Sequence, residues 1–461
     1  MDLSALNALS PVDGRYAAAA QPLRAYLTEG ALIRERIRVE ALWFKHLSQT
    51  GVALLRAPLP PSVMERVMQL AQEPGDAAAE AVKAIEQRIN HDVKSVEYFV
   101  RDALAAAGAD SAALELVHFG CTSEDVNNLS YARLLSSARA QVLLPELQSL
   151  IAILQSLAQQ YADTPMLART HGQAASPTTF GKEVANVGAR LLRARRRLAN
   201  VEVLAKWNGA VGNYNAHHAA RPDLDWLDLT RTFIVNQQLS WNPYTTQIEP
   251  HDWIAEFCDA CAAINVILID WCRDVWGYVS LGYLRQRAVA GEVGSSTMPH
   301  KINPIDFENA EGNFGIANAM LRFFADKLPV SRWQRDLTDS TVLRNLGVAL
   351  GHSFIGWKAL QRGLARISPD PACMLQDLDQ AYETLGEAIQ SVMRAAGVPD
   401  GYEQLKTFTR GQKIDAAAVQ AFVATLPLTE ADRRRLADLR PAQYIGLAAS
   451  LARRFASDGM T

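Results

Sequence analysis

Two stretches of this chain carry apolar residues at alternating intervals of four and three, and this spacing constrains the fold more than any other feature. The first stretch runs from Leu143 to Tyr161, and the second runs from Phe257 to Tyr278. Such spacing puts the apolar side chains on one face of a helix, as at the seam between bundled helices. The second stretch has about 22 residues, which makes roughly 33 Å of helix. We therefore predict a central bundle of long helices, whose apolar faces pack within one subunit or between subunits.

The rest of the chain is also helical in character, and it offers two positions for domain boundaries. Helix-forming residues dominate Leu32 to Leu47 and Lys182 to Val203, whereas the alternation typical of strands is rare. An Ala- and Gly-rich segment at 105–113 and the sequence Ser-Pro-Asp-Pro at 368–371 can each separate domains. A chain of 461 residues also exceeds one typical domain. We predict an all-α protein with three helical domains, residues 1–112, 113–366 and 367–461.

Composition excludes several classes of function. The 46 basic residues nearly balance the 49 acidic ones, whereas a general binder of nucleic acid or membrane surfaces would need a basic excess. The first residues lack the basic and apolar regions of a secretory signal, and the longest apolar run, at 262–269, is too short to span a bilayer. Five cysteines do not suggest a disulfide scaffold in so long a chain. We therefore expect a cytoplasmic protein that binds neither nucleic acid nor membrane.

Sequence patterns for metals and cofactors are weak. Cys258 and Cys261 have the C-x-x-C spacing, but zinc would need two more ligands, and Cys261 falls on the apolar face of the second stretch. The histidines lack a His-Glu-x-x-His frame, and the glycine-containing segment at 208–213 matches neither a P-loop nor a dinucleotide fingerprint. The basic run at 193–197 fits a solvated helix face better than a phosphate site. We predict no metal and no cofactor.

The segment from Gly294 to Pro304, with the sequence GSSTMPHKINP, is typical of a loop that can bind an anion. Its glycine permits backbone angles that other residues resist, and successive N–H groups in such a loop can form an anion-binding concavity. Lys301 adds a positive charge, and Asn303 adds a neutral donor. These groups suit a reaction in which a carboxylate-bearing substrate gains negative charge at carbon. The alternative is an ordinary polar loop between helices.

This loop resembles the signature of the fumarase/aspartase superfamily, whose members eliminate fumarate by breaking a C–N or C–O bond. Three further segments, SPVDGRY at 10–16, THGQ at 170–173 and RWQRDLTDSTVLR at 332–344, are similar to those of its adenylosuccinate lyase family. The resemblance runs from Ser10 to the C-terminal region. It implies a five-helix central bundle, a homotetramer with active sites shared between subunits, and a cofactor-free lyase acting on nucleotides. Such a lyase releases fumarate from adenylosuccinate, giving AMP, and from the succinyl-carboxamide ribotide SAICAR, giving AICAR.

Elimination beside a carboxylate needs a base for the carbon-bound proton, donors for the carboxylate and an acid for the departing nitrogen. The resemblance implies that Ser295 is the base, and loop N–H groups and Lys301 would have to stabilise its alkoxide. The residues alone do not separate it from Ser296, which the family assigns to substrate binding. His171 is the candidate acid, because imidazole titrates near neutral pH. The two roles could also be exchanged between His171 and Ser295.

The resemblance also implies which residues bind substrate. The cluster Asn90-His91-Asp92 would contact substrate, with His91 near the succinyl group. Asn90 or Asp92 could also cap a helix at 93–100, and both interpretations can hold. Thr122 and Ser123 stand where a helix begins, and there they would hold a carboxylate. The implied substrate-binding residues are Arg15, Tyr16, Asn90, His91, Asp92, Thr122, Ser123, Gln247, Ser296, Lys301, Ile302, Asn303, Asn309, Arg335, Ser340, Thr341, Val342, Leu343 and Arg344.

The phosphate end of a nucleotide substrate should be basic. Arg335 and Arg344 lie in one segment with Ser340 and Thr341, and Arg15 follows a predicted turn. Guanidinium groups match phosphate oxygens in pairs, and hydroxyl groups fill the remaining positions. The arginines could instead form surface salt bridges. We favour phosphate binding, which would separate this chain from argininosuccinate lyase and aspartase; a non-catalytic helical oligomer is the third hypothesis.

Overall fold

A computed structural model describes residues 4–52, 58–287, 298, 301–410 and 414–458. The chain forms two compact units, each built from several segments. The first unit contains Met1–Glu146, Arg195–Asn265 and Asn313–Gly356, and the second contains Leu147–Ala194, Val266–Gly312 and Trp357–Thr461. The predicted boundaries of three domains at residues 112 and 366 stay a prediction.

The described residues are mostly helical, and the strands among them are short, so the all-α class is confirmed. The α-helices are α1 (Ala17–Ala20), α2 (Arg24–Leu27), α3 (Glu29–Gln49), α4 (Pro61–Gln72), α5 (Asp76–Ile89), α6 (Asp92–Ala106), α7 (Ser111–Leu114), α8 (Ser123–Ala138), α9 (Leu144–Gln160), α10 (Phe180–Ala199), α11 (Asn215–Ala220), α12 (Trp226–Val235), α13 (Asp252–Ser280), α14 (Ile305–Lys327), α15 (Thr338–Leu343), α16 (Leu346–Arg366), α17 (Pro371–Leu378), α18 (Gly386–Ala395), α19 (Gly401–Thr409), α20 (Ala416–Thr425), α21 (Glu430–Ala437) and α22 (Ala448–Asp458). The strands are β1 (Pro165–Thr170), β2 (Gln173–Thr179), β3 (Leu204–Ala205), β4 (Ser240–Trp241), β5 (Leu284–Gln286) and β6 (Ile367–Pro369). They pair as β1 with β2 and β5 with β6, both antiparallel, and β3 with β4, parallel.

Long helices carry the predicted apolar faces. They are α9 and α13, and α13 has 29 residues; α10, α14 and α16 are further long helices. On α13 the side chains of Phe257, Ile264 and Val275 are fully buried, and on α9 those of Leu147 and Leu154 are too. Burial of each such side chain stabilises the fold by about 1.5–3 kcal/mol. The prediction of long helices with one buried apolar face is confirmed.

Neighbouring long helices pack closely within each unit. In the first unit, Asn265 of α13 donates through Nδ2 to Asn318 Oδ1 of α14 at 3.0 Å and to Ser353 Oγ of α16 at 2.9 Å. Phe314 of α14 lies against Gly356 of α16, where an added Cβ atom would stand 2.4 Å from the ring. In the second unit, α10 and α13 contact each other through aromatic rings. The buried amide network and the close glycine contact fix how these helices pair.

Helices α8 and α9 are joined by one π-helical turn, Arg139–Leu143, into a single helical stretch, Ser123–Gln160. By length and apolar composition alone, this stretch could cross a membrane. Buried core helices of soluble proteins pass the same test, so this is weak evidence for a membrane span. Leu143, Leu150 and Ile151 of the stretch are fully buried in the fold.

Helix α10 ends earlier than predicted. The pattern predicted a helix to Val203, whereas α10 ends at Ala199 and the chain continues into β3. The N–H of Ser240, the first residue of β4, donates to the Val203 carbonyl at 2.9 Å. Pairing with a distant segment therefore overrides the local preference for helix. The basic run on α10 is largely exposed, as predicted for a solvated face.

The N-terminal helices enclose a core of their own in the first unit. Helix α3 packs on α4, α5 and α6 and buries Ile37 and Phe44 among their apolar side chains. The same helix also buries Glu35, Arg36 and Glu40. Charged side chains are rarely buried without partners, and Glu35 pairs with Arg133, Arg36 with Asp92 and Glu40 with His118.

Candidate active site

The signature loop is described only near its end. The candidate base Ser295 and its neighbour Ser296 lie outside the described residues. The structure describes the following predicted residues of this part, all in the second unit: Lys301, Ile302, Asn303 and, on α14, Asn309. The Lys301 side chain is exposed to solvent, and its backbone N–H donates to the Met298 carbonyl at 3.0 Å.

His171 lies at the tip of a β-hairpin that the sequence pattern did not predict. Strands β1 and β2 pair so that Thr170 stands opposite Gln173, and His171 and Gly172 form the two-residue turn between them. Their φ angles are 51° and 74°. Positive φ at both positions is the geometry of a type I′ turn, which fits the twist of a hairpin. A histidine in this conformation costs about 1–2 kcal/mol, and its imidazole is exposed at the tip.

Side chains of the second unit hold both strands of this hairpin. Arg169 on β1 donates through Nη2 to Asp377 Oδ2 of α17 at 2.7 Å, and the Tyr283 hydroxyl donates to the same oxygen at 2.7 Å. The hydroxyl of Ser176 on β2 donates to Glu387 of α18. Both strands of the hairpin are therefore tied to the C-terminal helices, which limits the movement of its tip.

The Asn90-His91-Asp92 cluster lies between α5 and α6 in the first unit, and the helix cap differs from the prediction. Helix α6 begins at Asp92, and its N-cap is His91, whose Nδ1 accepts from the Lys94 N–H at 3.1 Å. Asn90 instead ends α5 with a left-handed φ of 53°, which asparagine tolerates better than most residues. The alternative that Asn90 or Asp92 caps this helix is therefore wrong. Because Nδ1 accepts, a neutral His91 carries its proton on Nε2.

Asp92 joins two arginines. Its Oδ2 accepts from Arg36 Nη2 at 3.0 Å and from Arg344 Nη2 at 3.3 Å, and its Oδ1 accepts from the Val93 N–H at 2.9 Å. Burial raises the pKa of Asp92, but Arg36, the Val93 N–H and Arg344 outweigh it, so the pKa lies below its ordinary value. The carboxylate is ionised at neutral pH and orients Arg344, whose side chain is 51% exposed.

Helix α8 begins directly after Thr122, as predicted, and a buried acid fixes this helix start. Asp125 accepts from the Thr122 N–H at 2.8 Å, from the Asn208 N–H at 3.0 Å and from the Gly209 N–H at 3.1 Å. Its Oδ1 also lies 3.0 Å from Lys206 Nζ, and both side chains are fully buried. A buried ion pair needs such additional hydrogen bonds to offset the loss of water. No sequence pattern singled out Asp125 or Lys206 as a pair.

Arg335, the first predicted phosphate ligand, is mostly buried and already paired. Its Nη2 lies 3.1 Å from Glu124 Oε2 and 3.8 Å from Asp339 Oδ1, and its Nη1 donates to Gln247 Oε1 at 3.3 Å. The Arg335 side chain is 15% exposed, and that of Glu124 is 2% exposed. The ion pair is therefore an interior one, and the predicted Gln247 contacts the same guanidinium.

His251 also belongs to this cluster, and its backbone has a positive φ. Its φ is 67°, and its N–H donates to Glu249 Oε2 at 2.9 Å. Its Nε2 lies 3.4 Å from Asp339 Oδ2, and the other oxygen of Asp339 accepts from the Ser340 N–H at 2.6 Å. Burial raises the pKa of Asp339, but His251, Arg335 and the Ser340 N–H lower it to below its ordinary value. Asp339 therefore stays ionised. It accepts from the Ser340 N–H, and the side chains of His251 and Arg335 lie close to its two oxygens.

Glu124, His251 and Asp339 bring one ligand atom each within 4.8 Å of one another, so their side chains could hold a cation. The Arg335 guanidinium lies against both carboxylates and already supplies the positive charge. We assign no metal to this cluster.

The pair Cys258 and Cys261 is buried on α13, where burial raises the pKa of the Cys261 thiol to about 12.

A chain of polar contacts joins the two arginine clusters. Arg36 donates through Nε to Asn127 Oδ1 at 2.8 Å, and Asn127 donates through Nδ2 to Glu124 Oε2 at 3.3 Å. Because Arg36 also binds Asp92, the two arginines predicted to bind phosphate stand at opposite ends of one network. Sequence reasoning missed Arg36, Asn127 and Glu124. The available signal was a charged residue at a core position of the apolar helix α3.

The rest of the predicted phosphate segment is the short helix α15. Ser340 is half-buried and Thr341 is exposed, whereas Val342 and Leu343 are 9% and 3% exposed and belong to the core. Any contact of Val342 or Leu343 with a polar substrate would therefore use their backbone.

A cleft of the first unit opens beside Asp92 and Arg344, with a volume of about 200 Å³. Its walls combine leucine side chains from α3, α8 and the start of α16 with the polar side chains of Arg36 and Tyr131. The predicted residues Arg15 and Tyr16 end a series of turns before α1, and they do not line this cleft. The structure thus places Asp92 and Arg344 together in a cleft that mixes apolar walls and paired charges.

Comparison with known proteins agrees with this arrangement. The family model described as "Lyase" matches residues 14–318, and the family model described as "Adenylosuccinate lyase C-terminal" matches residues 331–445. A fumarate lyase from Mesorhizobium sp. BNC1, whose crystal structure is known, superposes with a TM-score of 0.74 at 18% identity, covering 95% of this chain and 97% of that one. This likeness shows that the two proteins share a fold.

Proteins that are similar in sequence assign the chain to one family of lyases. Adenylosuccinate lyase of Vibrio cholerae serotype O1 is 49% identical over 452 residues, which cover 98% of this chain and 99% of that protein. Adenylosuccinate lyase of Escherichia coli K12 is 48% identical over 451 residues, with the same coverage. Matches of this extent, together with both family models, show that the chain belongs to the adenylosuccinate lyase family.

Proposed function

We propose that this chain is an adenylosuccinate lyase that eliminates fumarate from adenylosuccinate, giving AMP, and from SAICAR, giving AICAR. The observation that carries the proposal is identity of nearly one half over almost the whole length of proteins with this name. The proposal covers both substrates because each carries a 5′-phosphate and a succinyl-amino group, so one site can bind both.

The reaction needs one proton removed and one added. In our proposal Ser295 takes the proton from the succinyl carbon beside a carboxylate. The electron pair forms the double bond of fumarate as the C–N bond breaks, and His171 gives a proton to the departing nitrogen. Lys301, exposed in the segment before α14, supports the developing negative charge. The exchanged assignment, with His171 as base and Ser295 as acid, makes the same products.

The hairpin geometry supports a role for His171 in proton transfer. Its exposed imidazole projects from a two-residue turn with positive φ, and residues held in such strained conformations cluster at functional sites. The ion pair between Arg169 and Asp377 holds the strand that leads into the turn. An imidazole on a fixed strand can meet a substrate in one orientation, which is what proton transfer requires.

We assign the succinyl end of the substrate to the N-termini of α6 and α8 in the first unit. His91 presents an Nε2–H donor because its Nδ1 already caps α6, so a neutral His91 can donate to a substrate carboxylate. Thr122 and Ser123 stand at the positive end of α8, where backbone N–H groups favour an anion. Asn90 and Asp92 flank His91 and complete this group.

The phosphate end is assigned to Arg335, Arg344, Ser340 and Thr341, with Arg15 as a further cation. Arg344 is half-exposed beside the cleft, and its guanidinium is oriented by Asp92. Ser340 and Thr341 offer hydroxyl groups one turn away on α15. The other predicted contacts of this proposal are Tyr16, Gln247, Ser296, Ile302, Asn303, Asn309, Val342 and Leu343.

We further propose a cytoplasmic homotetramer with active sites shared between subunits. Large apolar side chains on the long helices are exposed in the single chain, including Trp276 at 55%, Ile316 at 50% and Phe323 at 53%. Burial of such residues in a subunit interface would stabilise an oligomer. Light scattering at assay concentration tests this, and an active monomer would contradict shared sites.

A panel of substrates tests the proposed function. The purified full chain, without added metal or cofactor, is incubated separately with adenylosuccinate, SAICAR, argininosuccinate and aspartate, and fumarate is measured. We expect fumarate from the first two only, with inhibition by AMP. Fumarate from argininosuccinate or aspartate would mean that the phosphate end is assigned wrongly, and no fumarate from any substrate would favour a non-catalytic oligomer.

A further inference from the structure

Glu124 is a buried acid to which the proposed reaction gives no role, and it lies beside an arginine assigned to phosphate. Its Oε2 is shared between Arg335 Nη2 at 3.1 Å and Asn127 Nδ2 at 3.3 Å. Its other oxygen, Oε1, is buried and has no hydrogen-bond partner among the described residues. A buried carboxylate oxygen without a donor is costly, and a proton on this oxygen would remove the buried charge.

The charges of this cluster conflict with a bound phosphate dianion. In the described part of the chain, the charged or titratable groups that face Glu124 are Arg335, Asp339 of α15, His251 before α13 and Tyr131 of α8. The Arg335 guanidinium lies 3.1 Å from Glu124 and 3.8 Å from Asp339, so one positive charge faces two negative ones. A phosphate dianion on Arg335 would add two more in a largely buried place, and like charges so close favour protonation of one acid.

We propose that Glu124 takes up a proton when the phosphate of a nucleotide binds Arg335. The protonated acid no longer neutralises the guanidinium, whose charge is then available to the phosphate. The new hydroxyl also turns an oxygen without a partner into a donor. Glu124 thus acts as a positioning residue that couples phosphate binding to pH. This inference rests on the proposed function, because it takes Arg335 as a phosphate ligand.

Asp339 is less suited to take the proton. Its Oδ1 accepts from the Ser340 N–H at 2.6 Å, and its Oδ2 faces His251 Nε2 at 3.4 Å. Donors to both oxygens favour the ionised carboxylate. Burial raises the pKa of Glu124 above its ordinary value, against the opposing charges of His251 and Arg335. The proton therefore goes to Glu124 and not to its neighbour.

Calorimetric titration of the purified full chain with AMP measures the proton directly. At about pH 8 the phosphate of AMP is already a dianion, since its second pKa is about 6. Titrations in two buffers that differ in ionisation enthalpy give the number of protons taken up. We expect between about one half and one proton per AMP, with affinity falling by up to about tenfold per pH unit. Both the uptake and the fall in affinity should disappear in Glu124→Gln.

A matched control is Glu115→Gln, because Glu115 is exposed and pairs with Arg101 at 2.9 Å in the same unit. It should keep the proton uptake of the wild type. The inference is overturned if Glu124→Gln takes up as many protons as the wild type, or if the wild type binds AMP without uptake. Failure of the wild type to bind AMP at all would instead refute the proposed phosphate site, and with it this inference.

A pH series on the wild type covers the case in which Glu124→Gln does not fold. Between about pH 7.5 and 9, neither AMP nor an ordinary carboxylate titrates, so a constant dissociation constant for AMP would overturn the proposal. A steady fall in affinity across this range supports it.

Discussion

Replacement of Lys206 by methionine would leave the Asp125 carboxylate buried without its counter-ion. In the native protein Lys206 Nζ lies 3.0 Å from Asp125 Oδ1 and donates to the Gly209 carbonyl at 2.9 Å, and neither side chain is exposed. Methionine fills much of the space of the aliphatic stem, so the loss is mainly electrostatic. Removal of one partner of a buried ion pair typically costs about 3–5 kcal/mol.

The remaining hydrogen bonds set the expected value within that range. Three backbone N–H groups, those of Thr122, Asn208 and Gly209, still donate to the Asp125 carboxylate in the variant. They hold part of its charge, so we expect a loss of about 3 kcal/mol, at the low end of the range. The double variant Lys206→Met/Asp125→Asn should recover part of this loss, because a neutral amide needs no counter-ion.

Urea unfolding followed by circular dichroism measures the loss. The chain forms two compact units, so the midpoint and slope of each transition should be compared between variants instead of one global free energy. The control is Lys182→Met, whose ion pair with Glu183 at 3.1 Å involves a lysine that is 39% exposed. That change should cost less than about 1 kcal/mol. If Lys206→Met costs no more than Lys182→Met, the reasoning about the buried pair is refuted.

Three further predictions concern the site and its pH dependence. His171→Asn should keep the turn, since asparagine tolerates positive φ, and should lower turnover by about a hundredfold or more at unchanged melting temperature; near-normal turnover would refute the acid role. Arg344→Gln removes a guanidinium held by Asp92 at 3.3 Å, so steady-state kinetics should show a raised KM for adenylosuccinate with a smaller change in kcat; a loss in kcat alone contradicts a binding role. Burial lowers the pKa of His118, but the fully buried Glu40 at 2.5 Å outweighs it and raises the pKa above its ordinary value. The charged pair therefore adds stability below the ordinary pKa, and this gain is lost as pH rises through the raised pKa. In denaturation, the stability difference between wild type and His118→Gln should shrink from about pH 6 to pH 9, and a difference that grows with pH would contradict the pairing.

The long helices could be predicted from sequence because the spacing of apolar residues that specifies them repeats from turn to turn. The stretch from Phe257 to Tyr278 meets one periodicity at every turn, and the structure forms α13 over Asp252–Ser280. One unfavourable residue does not remove such a repeated pattern. The start of α8 after Thr122 was predictable for the same reason, because capping depends on neighbours within one turn.

Features that depend on distant partners were predicted wrongly or not at all. The hairpin of β1 and β2 packs on α17, which follows much later in the chain, and its His171-Gly172 turn was the one local signal for it. Helix α10 ends at Ala199 because the next residues pair with a strand from elsewhere. The cap of α6 is a local exception, because His91 takes this role although histidine is not a preferred capping residue.

The same difference between local patterns and distant partners applies to the site residues. The residue types at 335 and 344 indicated an affinity for phosphate, but sequence could not show that Glu124 and Asp92 already hold these arginines. Those carboxylates come from α8 and α6, and only the packing of the first unit brings them to the arginines. The proposed proton uptake by Glu124 therefore could not be inferred before the structure.

The most direct test of the account is a time course of fumarate and AMP release from adenylosuccinate by the purified full chain. The account predicts equal amounts of both products at every time point, and a rate that falls at least about a hundredfold in Ser295→Ala. Fumarate without AMP, or a Ser295→Ala variant as fast as the wild type, would contradict it.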